Sequence, residues 1–401
     1  MTRGAATGRG GGERRGCVFV GHDIYRRPAY GSLHPLAIPR VEAVVDLCRA
    51  LGWFAAGEYR SSARASEAEL TAFHDPGYVR ALRQASACGR VEPAVRERYA
   101  IGTMENPLFP GLFERAATSV GGSILAAELA LEGSIAFHPA GGTHHGRRDR
   151  ASGFCYFNDA VFAIRRLLHG GCARVLYVDL DAHHGDGVEE ACATEPRVHT
   201  VSIHESGRWP YTGQLADTAG GRAWNLPVPP GFNDRELDLL FDGFVLPLAA
   251  RLDAEALVIT CGGDALAGDP LTGMALSNLA LWQTVEQLAT LAPHVVVLGG
   301  GGYNPWTLTR YWAGLWARLS GRAIPERLPD AAQDVLRRLH CDLVDEEDIR
   351  TEWITTLADA PNDAPDRPEV GELRDRVLAR MEAEYGRAGS GSPVAQHAAA
   401  R

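Results

Sequence analysis

Six short apolar runs, each ending in Gly, Asp or His, constrain the fold of this 401-residue chain more than any other feature. They are CVFVGH (17–22), IAFHPAGG (135–142), VLYVDLD (175–181), VHTVSIH (198–204), ALVITCGGD (256–264) and HVVVLGGG (294–301). Most are rich in β-branched residues and do not alternate, which is typical of strands that helices cover on both faces. The runs therefore predict a sheet in the interior of the molecule.

Helix-like stretches lie between these runs, at 39–53, 117–131, 157–170 and 234–252. The alternation of strand and helix predicts an α/β fold with a parallel β-sheet flanked by helices on both faces. Because no low-complexity linker or internal repeat interrupts the chain, we expect a single domain over residues 16–385. The Gly/Arg-rich segment 1–15 and the small, polar segment 386–401 are predicted to be disordered tails.

Composition argues against several classes of protein. The formal net charge of −10 disfavours broad binding to nucleic-acid phosphates, which needs clustered Lys and Arg. The sequence has no run of about 18 apolar residues, and no apolar segment follows its positively charged start, so we expect neither a membrane span nor a signal peptide. The eight cysteines form no CxxC pair, which favours buried free thiols over metal ligands. These features predict a cytoplasmic protein.

Polar residues follow most of the predicted strands. The endings are THH at 143–145, DAHHGDG at 181–187, CGGD at 261–264 and GGGGY at 299–303. In open parallel sheets, ligands bind outside the carboxyl ends of the strands. We therefore expect His, Asp, Gly and Tyr side chains to meet at one edge of the sheet.

The segment 179–187 predicts a metal site. Asp179, Asp181 and His183 are spaced two apart and can share a face at the end of a strand. Two carboxylates and an imidazole without a thiolate suit a catalytic zinc, with Fe²⁺, Mn²⁺ or Co²⁺ as other possibilities. An acidic turn on the surface is the competing interpretation. The motif GGDALAGDP at 262–270 offers an Asp for a third ligand position.

Three further features suggest hydrolytic chemistry. His144 and His145 can act as a general base and an electrostatic partner, with acidic residues nearby to orient them, or they can be structural. Tyr303 follows four glycines and can donate a hydrogen bond to an oxyanion, or pack in its loop. Phe154 and Trp209 can wall a narrow channel for a linear aliphatic group, with core packing as the alternative.

Four segments together resemble the histone deacetylase family, in particular its class I-like bacterial branch, which includes acetoin-utilisation deacetylases. They are GGTHHGRRDRASGFCYFNDA (141–160), VLYVDLDAHHGDGVEEA (175–191), GGDALAGDP (262–270) and LGGGGYNPW (298–306). The resemblance covers residues 17–320. It implies the arginase/deacetylase fold, one catalytic zinc (with Fe²⁺ possible in its place) and a structural potassium ion.

The resemblance also assigns roles to individual residues. The zinc ligands match Asp181, His183 and Asp269, and the transition-state tyrosine matches Tyr303. The tandem histidines match His144 and His145, of which His145 is the expected general base and acid, and their orienting carboxylates match Asp179 and Asp186. The potassium site matches Asp179, Asp181, His183, Ser202 and Ile203. The substrate contacts match Gly153, Phe154, Trp209, Arg40 and Glu105.

Some positions depart from the family pattern. Gly263 stands where an alanine is usual, and Trp209 where phenylalanine is more common. The loop of Glu105 differs in length, and segment 205–213 is short. Cys192 and Glu195 replace residues of a second potassium site. Because these loops lie at the rim, the substrate is the property that the resemblance transfers least.

The sequence therefore predicts a zinc-dependent deacetylase that hydrolyses the acetamide of an acetylated amine. Acetyl-lysine in proteins is the expected substrate, with acetylpolyamines and small acetylated metabolites as other candidates. An arginase-like ureohydrolase with two manganese ions is a rival, since DAHHGD resembles the metal-binding motif of that fold relative. An inactive metal-binding scaffold is a third reading. We expect neither nucleic acid nor membrane as a partner, and nothing in the sequence indicates an oligomeric state.

Overall fold

Eight parallel strands form one sheet in the computed structural model of the chain, which describes residues 15–32 and 34–386. The strands are β1 (Cys17–Gly21), β2 (Tyr59–Ser61), β3 (Ile135–His138), β4 (Val175–Asp179), β5 (Val198–Glu205), β6 (Ala223–Val228), β7 (Ala256–Thr260) and β8 (His294–Leu298). Their order across the sheet is β2, β1, β3, β8, β7, β4, β5, β6. The predicted parallel sheet is confirmed.

Fourteen α-helices connect and cover the strands in the described part of the chain. They are α1 (Val41–Ala50), α2 (Glu67–Thr71), α3 (Pro76–Cys88), α4 (Pro93–Tyr99), α5 (Leu112–Leu131), α6 (Asp159–His169), α7 (Asp186–Cys192), α8 (Asp234–Leu240), α9 (Leu246–Leu252), α10 (Asn278–Leu288), α11 (Pro305–Ser320), α12 (Asp330–Arg337), α13 (Glu352–Thr355) and α14 (Pro368–Tyr385). None of these helices combines the length and the apolar character that a membrane crossing needs.

Successive residues of each central strand pack on opposite faces of the sheet. Val178 of β4 lies in the larger apolar core, which includes α1, α10 and α11, whereas its neighbour Tyr177 lies in a second core with α5 and α6. All five residues of β4 are buried. A strand covered on both faces has no reason to alternate in polarity, which accounts for the continuous apolar runs in the sequence.

Helix α11 fixes the loops at the carboxyl edge of the sheet. Asn304 caps its first turn by accepting hydrogen bonds from the backbone N–H groups of Trp306 and Thr307. The indole N–H of Trp312, a fully buried residue, donates to the carbonyl of Cys261 at the end of β7 over 2.9 Å. The helix therefore holds the β7 loop in place while its own cap follows Tyr303.

The structure differs from the predicted elements in three places. The predicted helix 234–252 is divided into α8 and α9 by a π-helical turn, Phe241–Val245. Strands β2 and β6 were not predicted, and both lie at sheet edges. β2 is three residues long and mostly exposed, and β6 contains Pro227, which cannot donate to a ladder and so weakens the sequence signal. The predicted tails lie outside the described residues, apart from Arg15 and Gly386.

Candidate active site

Four strands that are adjacent in the sheet supply the candidate active site. The order β3, β8, β7, β4 brings the loops after these strands to one edge. The loop after β3 carries His144 and His145, and the segment after β4 carries Asp181 and His183. Asp264 follows β7 and Tyr303 follows β8, as the strand-end pattern predicts for these motifs.

Asp181, His183 and Asp264 form the one group of three or more His, Cys, Asp or Glu residues, among those described, whose ligand atoms converge. All three atoms lie within 4.8 Å of one another. Nδ1 of His183 is 2.9 Å from Oδ2 of Asp264 and 3.3 Å from Oδ1 of Asp181. Both carboxylates are fully buried. The group can therefore close around a single small cation.

The converging group contains Asp264, whereas the sequence predicts Asp269 as the third metal ligand. Asp269 lies five residues further along, and its carboxylate is outside the converging group. Its Oδ2 accepts a hydrogen bond from the backbone N–H of Tyr303 over 2.7 Å, and its Oδ1 accepts one from Leu271 over 2.9 Å. Both oxygens therefore hold loop backbone, and the prediction that Asp269 is the third ligand is corrected to Asp264.

The charges in this group fit a cation between them. Burial alone would lower the pKa of His183, but its hydrogen bonds with Asp181 and Asp264 raise it to about 10. Burial and the neighbouring charge of Asp181 raise the pKa of Asp264. Two buried carboxylates this close are stable only with compensating positive charge. Two carboxylates and one imidazole leave a fourth position open, as a catalytic metal site requires.

Each of the tandem histidines is held by its own carboxylate. Nδ1 of His144 lies 2.7 Å from Oδ2 of Asp179, and Nδ1 of His145 lies 2.8 Å from Oδ1 of Asp186. The centres of the two imidazole rings are 3.9 Å apart. Both rings line a cavity that is also lined by Asp181, His183 and Tyr303. Because Nδ1 is engaged in both rings, Nε2 is the atom that each ring can present to a bound molecule.

The two histidines differ in protonation. Burial disfavours the charged form of His144, but the carboxylates of Asp179 and Asp181 outweigh it and raise the pKa to about 9. Burial together with the charge of His144 lowers the pKa of His145 to about 3. At neutral pH the pair therefore consists of a protonated His144 and a neutral His145, which can accept a proton.

Tyr303 lies in the loop after β8 and faces the group of Asp181, His183 and Asp264, which we call the cluster. Its ring centre is 6.5 Å from that of His183, and burial keeps the pKa of its hydroxyl well above the usual value. The glycines before it allow a close approach, because a Cβ on Gly301 would lie 2.2 Å from Oδ2 of Asp264. The backbone N–H of Gly301 donates to Oδ2 of Asp181 over 2.6 Å. The loop thus brings a protonated phenol beside the cluster.

Aromatic rings line the passage that leads to the cluster. Trp209 stacks edge-on against His145 with ring centres 4.6 Å apart, and Phe154 lies 6.1 Å from the Tyr303 ring. Gly153 lies between them, and a Cβ there would come within 2.4 Å of the Trp209 ring and 2.6 Å of His145. Only glycine fits this position, so the passage is narrow and apolar.

Two predicted substrate residues lie at opposite ends of this passage. Oε1 of Glu105 accepts a hydrogen bond from the backbone N–H of Gly153 over 2.6 Å, and the preceding residue, Met104, is 96% exposed, so Glu105 lies at the solvent-facing end. We call Glu105, Gly153, Phe154 and Trp209 the mouth. Arg40 lines the cavity beyond the cluster, where its guanidinium donates to the carbonyls of Gly300 and Gly301 and lies over the Trp312 ring.

The residues predicted for potassium lie together at the β4 and β5 ends. Asp179 is opposite Ser202 in the ladder, and Ile203 follows in β5. The backbone N–H of Asp181 donates to Oδ1 of Asp179 over 3.1 Å, and His183 lies two residues beyond. Nothing in the geometry identifies the ion, so its identity stays a prediction.

Sequence reasoning missed Asp159, which organises the histidine loop. This fully buried carboxylate accepts hydrogen bonds from the backbone N–H groups of Gly142 and Thr143 over 3.0 and 2.7 Å, and from the hydroxyl of Ser123 over 2.5 Å. Its position in the first turn of the helix predicted at 157–170 was the available signal, since an acid there can bind backbone N–H groups of a neighbouring loop.

Comparison with known proteins places this geometry in a family. Residues 34–319 match the histone deacetylase domain model. The acetoin utilization protein AcuC of Bacillus subtilis (strain 168) is 34% identical over 323 residues, covering 77% of this chain and 83% of that protein. Histone deacetylase 1 of Homo sapiens is 35% identical over 327 residues, covering 80% of this chain and 67% of that protein.

Solved structures agree with the sequence relatives. The crystal structure of a histone deacetylase homologue from Aquifex aeolicus superposes with a TM-score of 0.87 at 33% identity, covering 91% of this chain and 100% of that one. A histone deacetylase homologue complexed with SAHA superposes with a TM-score of 0.86 at the same identity. The chain belongs to the histone deacetylase family.

Proposed function

We propose that this protein is a zinc-dependent deacetylase that hydrolyses the acetamide of an acetylated amine to acetate and the free amine. Acetyl-lysine in proteins is the favoured substrate, and acetylpolyamines or small acetylated metabolites are the other candidates. The observation that carries the proposal is the buried group of Asp181, His183 and Asp264 beside two His–Asp pairs, at the inner end of a narrow apolar passage.

The metal would be held by that group of three residues. When bound, zinc polarises a carbonyl oxygen and lowers the pKa of a coordinated water. The donor set also accepts Fe²⁺. One converging group among the described residues supports a single ion. This favours a deacetylase over an arginase-like centre with two manganese ions.

His145 supplies the general base in this scheme. Asp186 holds its Nδ1, so Nε2 is directed to the cavity and is neutral at pH 7. There it takes a proton from the attacking water and later returns one to the departing amine nitrogen. His144 stays protonated through its contact with Asp179 and stabilises negative charge that develops beside it.

Tyr303 stabilises the oxyanion. Because its pKa is far above neutrality, its hydroxyl is protonated and can donate a hydrogen bond to the oxygen of the tetrahedral intermediate. Trp209, Gly153 and Phe154 enclose the alkyl stem that carries the acetamide and exclude water from it. Arg40 fixes the glycine loop before Tyr303 from the inner side of the cavity.

Two secondary assignments accompany the proposal. A structural potassium ion would lie at the backbone oxygens of Asp181, His183 and Ile203 with the side chains of Asp179 and Ser202. Six of the eight cysteines are buried thiols, which suits a reducing compartment, and we assign the protein to the cytoplasm.

The test is a single experiment with two readouts. Purified protein is analysed for metal content and then assayed for acetate release from an acetyl-lysine peptide, an acetylated triamine and a small acetylated alkylamine. We expect one zinc per chain and turnover of at least one substrate. Two manganese ions per chain would favour the ureohydrolase. Bound zinc without any turnover would favour the inactive scaffold.

A further inference from the structure

Two large apolar side chains stand out on the surface. Among the described residues, Met104 is 96% exposed and Tyr211 is 71% exposed, whereas the next most exposed large apolar residue, Leu343, reaches 43%. Both lie in the segments that form the mouth. We call Met104 and Tyr211 the mouth pair.

Met104 is held at the entrance by its neighbour. Glu105 is bonded through its carboxylate to the backbone N–H of Gly153, in the wall of the passage. The loop is closed by a hydrogen bond from the backbone N–H of Gly102 to the carbonyl of Asn106 over 2.8 Å. Met104 is therefore presented by a short, closed loop whose next residue contacts the channel wall.

Tyr211 is presented by an equally constrained turn. It lies two residues after Trp209, whose ring covers Gly153, and its backbone N–H donates to the carbonyl of Arg208 over 2.8 Å. Its φ of 62° is in the left-handed region, which costs free energy for a non-glycine residue.

The end of this turn is pinned to the sheet edge. The hydroxyl of Thr212 is 2.9 Å from Nδ1 of His184, and Nε2 of His204 is 2.9 Å from the carbonyl of Gly213. These contacts hold the backbone of Tyr211 in its left-handed conformation. The ring of Tyr211 is mostly exposed, so it contributes little to the stability of the fold in return. Such strain is characteristic of binding surfaces.

The charges near the mouth favour a polypeptide over a polyamine. The Glu105 carboxylate is already engaged by Gly153, and Arg208 is paired with Glu205. The loop just before Gly153 contains the exposed residues Arg148, Asp149 and Arg150, with a net positive charge. Among the described residues, the mouth thus contains a single carboxylate, that of Glu105, and no group of carboxylates for the ammonium groups of a polyamine that extends out of the channel.

We propose that the mouth pair binds apolar side chains on either side of the acetyl-lysine in a polypeptide substrate. The inference rests on the proposed deacetylase function. A lysine side chain that enters the passage between Glu105 and Trp209 leaves its own backbone lying across the mouth. Met104 and Tyr211 then flank that backbone, and burying their apolar surface against neighbouring residues supplies selectivity.

The experiment compares two capped peptides, Leu–acetyl-Lys–Leu and Ser–acetyl-Lys–Ser, in the zinc-loaded full-length protein. We expect the wild type to prefer the leucine peptide by about tenfold in kcat/KM. In Met104→Asn and Tyr211→Asn, this ratio should fall to within about threefold of one. Asparagine is used because it tolerates the left-handed backbone of position 211.

Tyr385→Asn is the matched control, since Tyr385 is 40% exposed and packs near Trp224, at the β6 edge of the sheet. It should keep the wild-type ratio. Unchanged ratios in both mouth-pair variants, or no preference in the wild type, would overturn the inference while leaving the deacetylase intact. Failure of the wild type on both peptides and on a small acetylated alkylamine would instead overturn the proposed function.

Discussion

The floor of the site and its mouth are built by different means, although they are a few ångströms apart. We call Asp181, His183, Asp264, His144, His145 and Tyr303 the floor. Floor residues other than His183 are buried, and most are held by a hydrogen bond to a group on another strand-end loop. Mouth residues are partly exposed and lie on longer loops outside the sheet.

This difference separates chemistry from selection. The floor is attached to the ends of four adjacent strands, so its geometry is as rigid as the sheet. The mouth depends on a few contacts, such as that between Glu105 and Gly153, and can vary without disturbing the core. Substitutions in the floor should therefore slow the turnover of every substrate, and those at the mouth should change which substrate is preferred.

The largest effect is expected from Asp264→Asn, and Asp269→Asn, five residues further along the chain, is its comparison. Asp264→Asn removes a charge from the converging group, and we expect at least about hundredfold weaker zinc binding with almost complete loss of turnover. Asp269→Asn leaves the group intact but disturbs an acceptor of the Tyr303 and Leu271 N–H groups, at a cost of about 1–3 kcal/mol in stability. Elemental analysis and thermal unfolding measure both.

Equal zinc content in the two variants would contradict this assignment. Loss of zinc from Asp269→Asn alone, with Asp264→Asn unaffected, would restore the original ligand prediction. Each outcome is read against the wild type loaded under the same conditions.

The next effect concerns the general base. His145→Ala removes the neutral imidazole that accepts the proton of the attacking water, and we expect turnover to fall by about 10²–10⁴ at neutral pH. Zinc content should be unchanged, because His145 is outside the converging group. His144→Ala is the comparison, and it should cost less if His145 is the base. A larger loss for His144→Ala would exchange the two roles.

Most of the floor could be predicted from the sequence, because its residues follow local patterns along the chain. Asp181 and His183 follow a fully apolar strand at a spacing of two, so the chain itself places them on one side. The order of the strands, which brings β7 and β8 beside β4 and β3, comes from long-range pairing. The motifs could therefore predict which loops matter but not the sheet order that brings them together.

The choice between Asp264 and Asp269 shows where the pattern failed. Both follow β7, and the sequence alone does not say which one turns inward. A 3₁₀ turn, Gly263–Ala265, directs Asp264 towards His183, whereas Asp269 lies beyond the turn and binds backbone. Because functional side chains in parallel sheets lie at the immediate ends of the strands, the strand-end rule favours Asp264, which is closer to the end of β7.

The mouth was less predictable for a physical reason. Contacts there join segments far apart in sequence, such as Glu105 with Gly153 and Trp209 with His145. No local periodicity encodes such contacts. Met104 and Tyr211 were not singled out from the sequence at all, since a lone exposed apolar residue becomes informative only when its location is known.

A third prediction concerns the oxyanion. Tyr303→Phe removes one hydroxyl and keeps the ring against Phe154, so the fold and the zinc content should be unchanged. Loss of one oxyanion donor typically costs about 10²–10³ in kcat, with a small effect on KM. Steady-state kinetics on an acetyl-lysine peptide measures this. Near-wild-type kcat in a zinc-loaded variant would exclude Tyr303 from the transition state.

The smallest effect is expected at the mouth, where one residue can be changed in two ways. Glu105→Gln keeps an oxygen that can accept the N–H of Gly153, so kcat/KM on peptides should stay within about threefold of the wild type. Glu105→Ala removes the acceptor and should raise KM for peptides about tenfold with little change in kcat, because the segment of Gly153 loses its anchor. If the glutamine variant loses as much as the alanine variant, the negative charge of Glu105 contacts the substrate directly. The mouth would then recognise the peptide backbone as well as its side chains. In that case floor and mouth would differ only in how rigidly they are held, and not in whether they contact every peptide substrate.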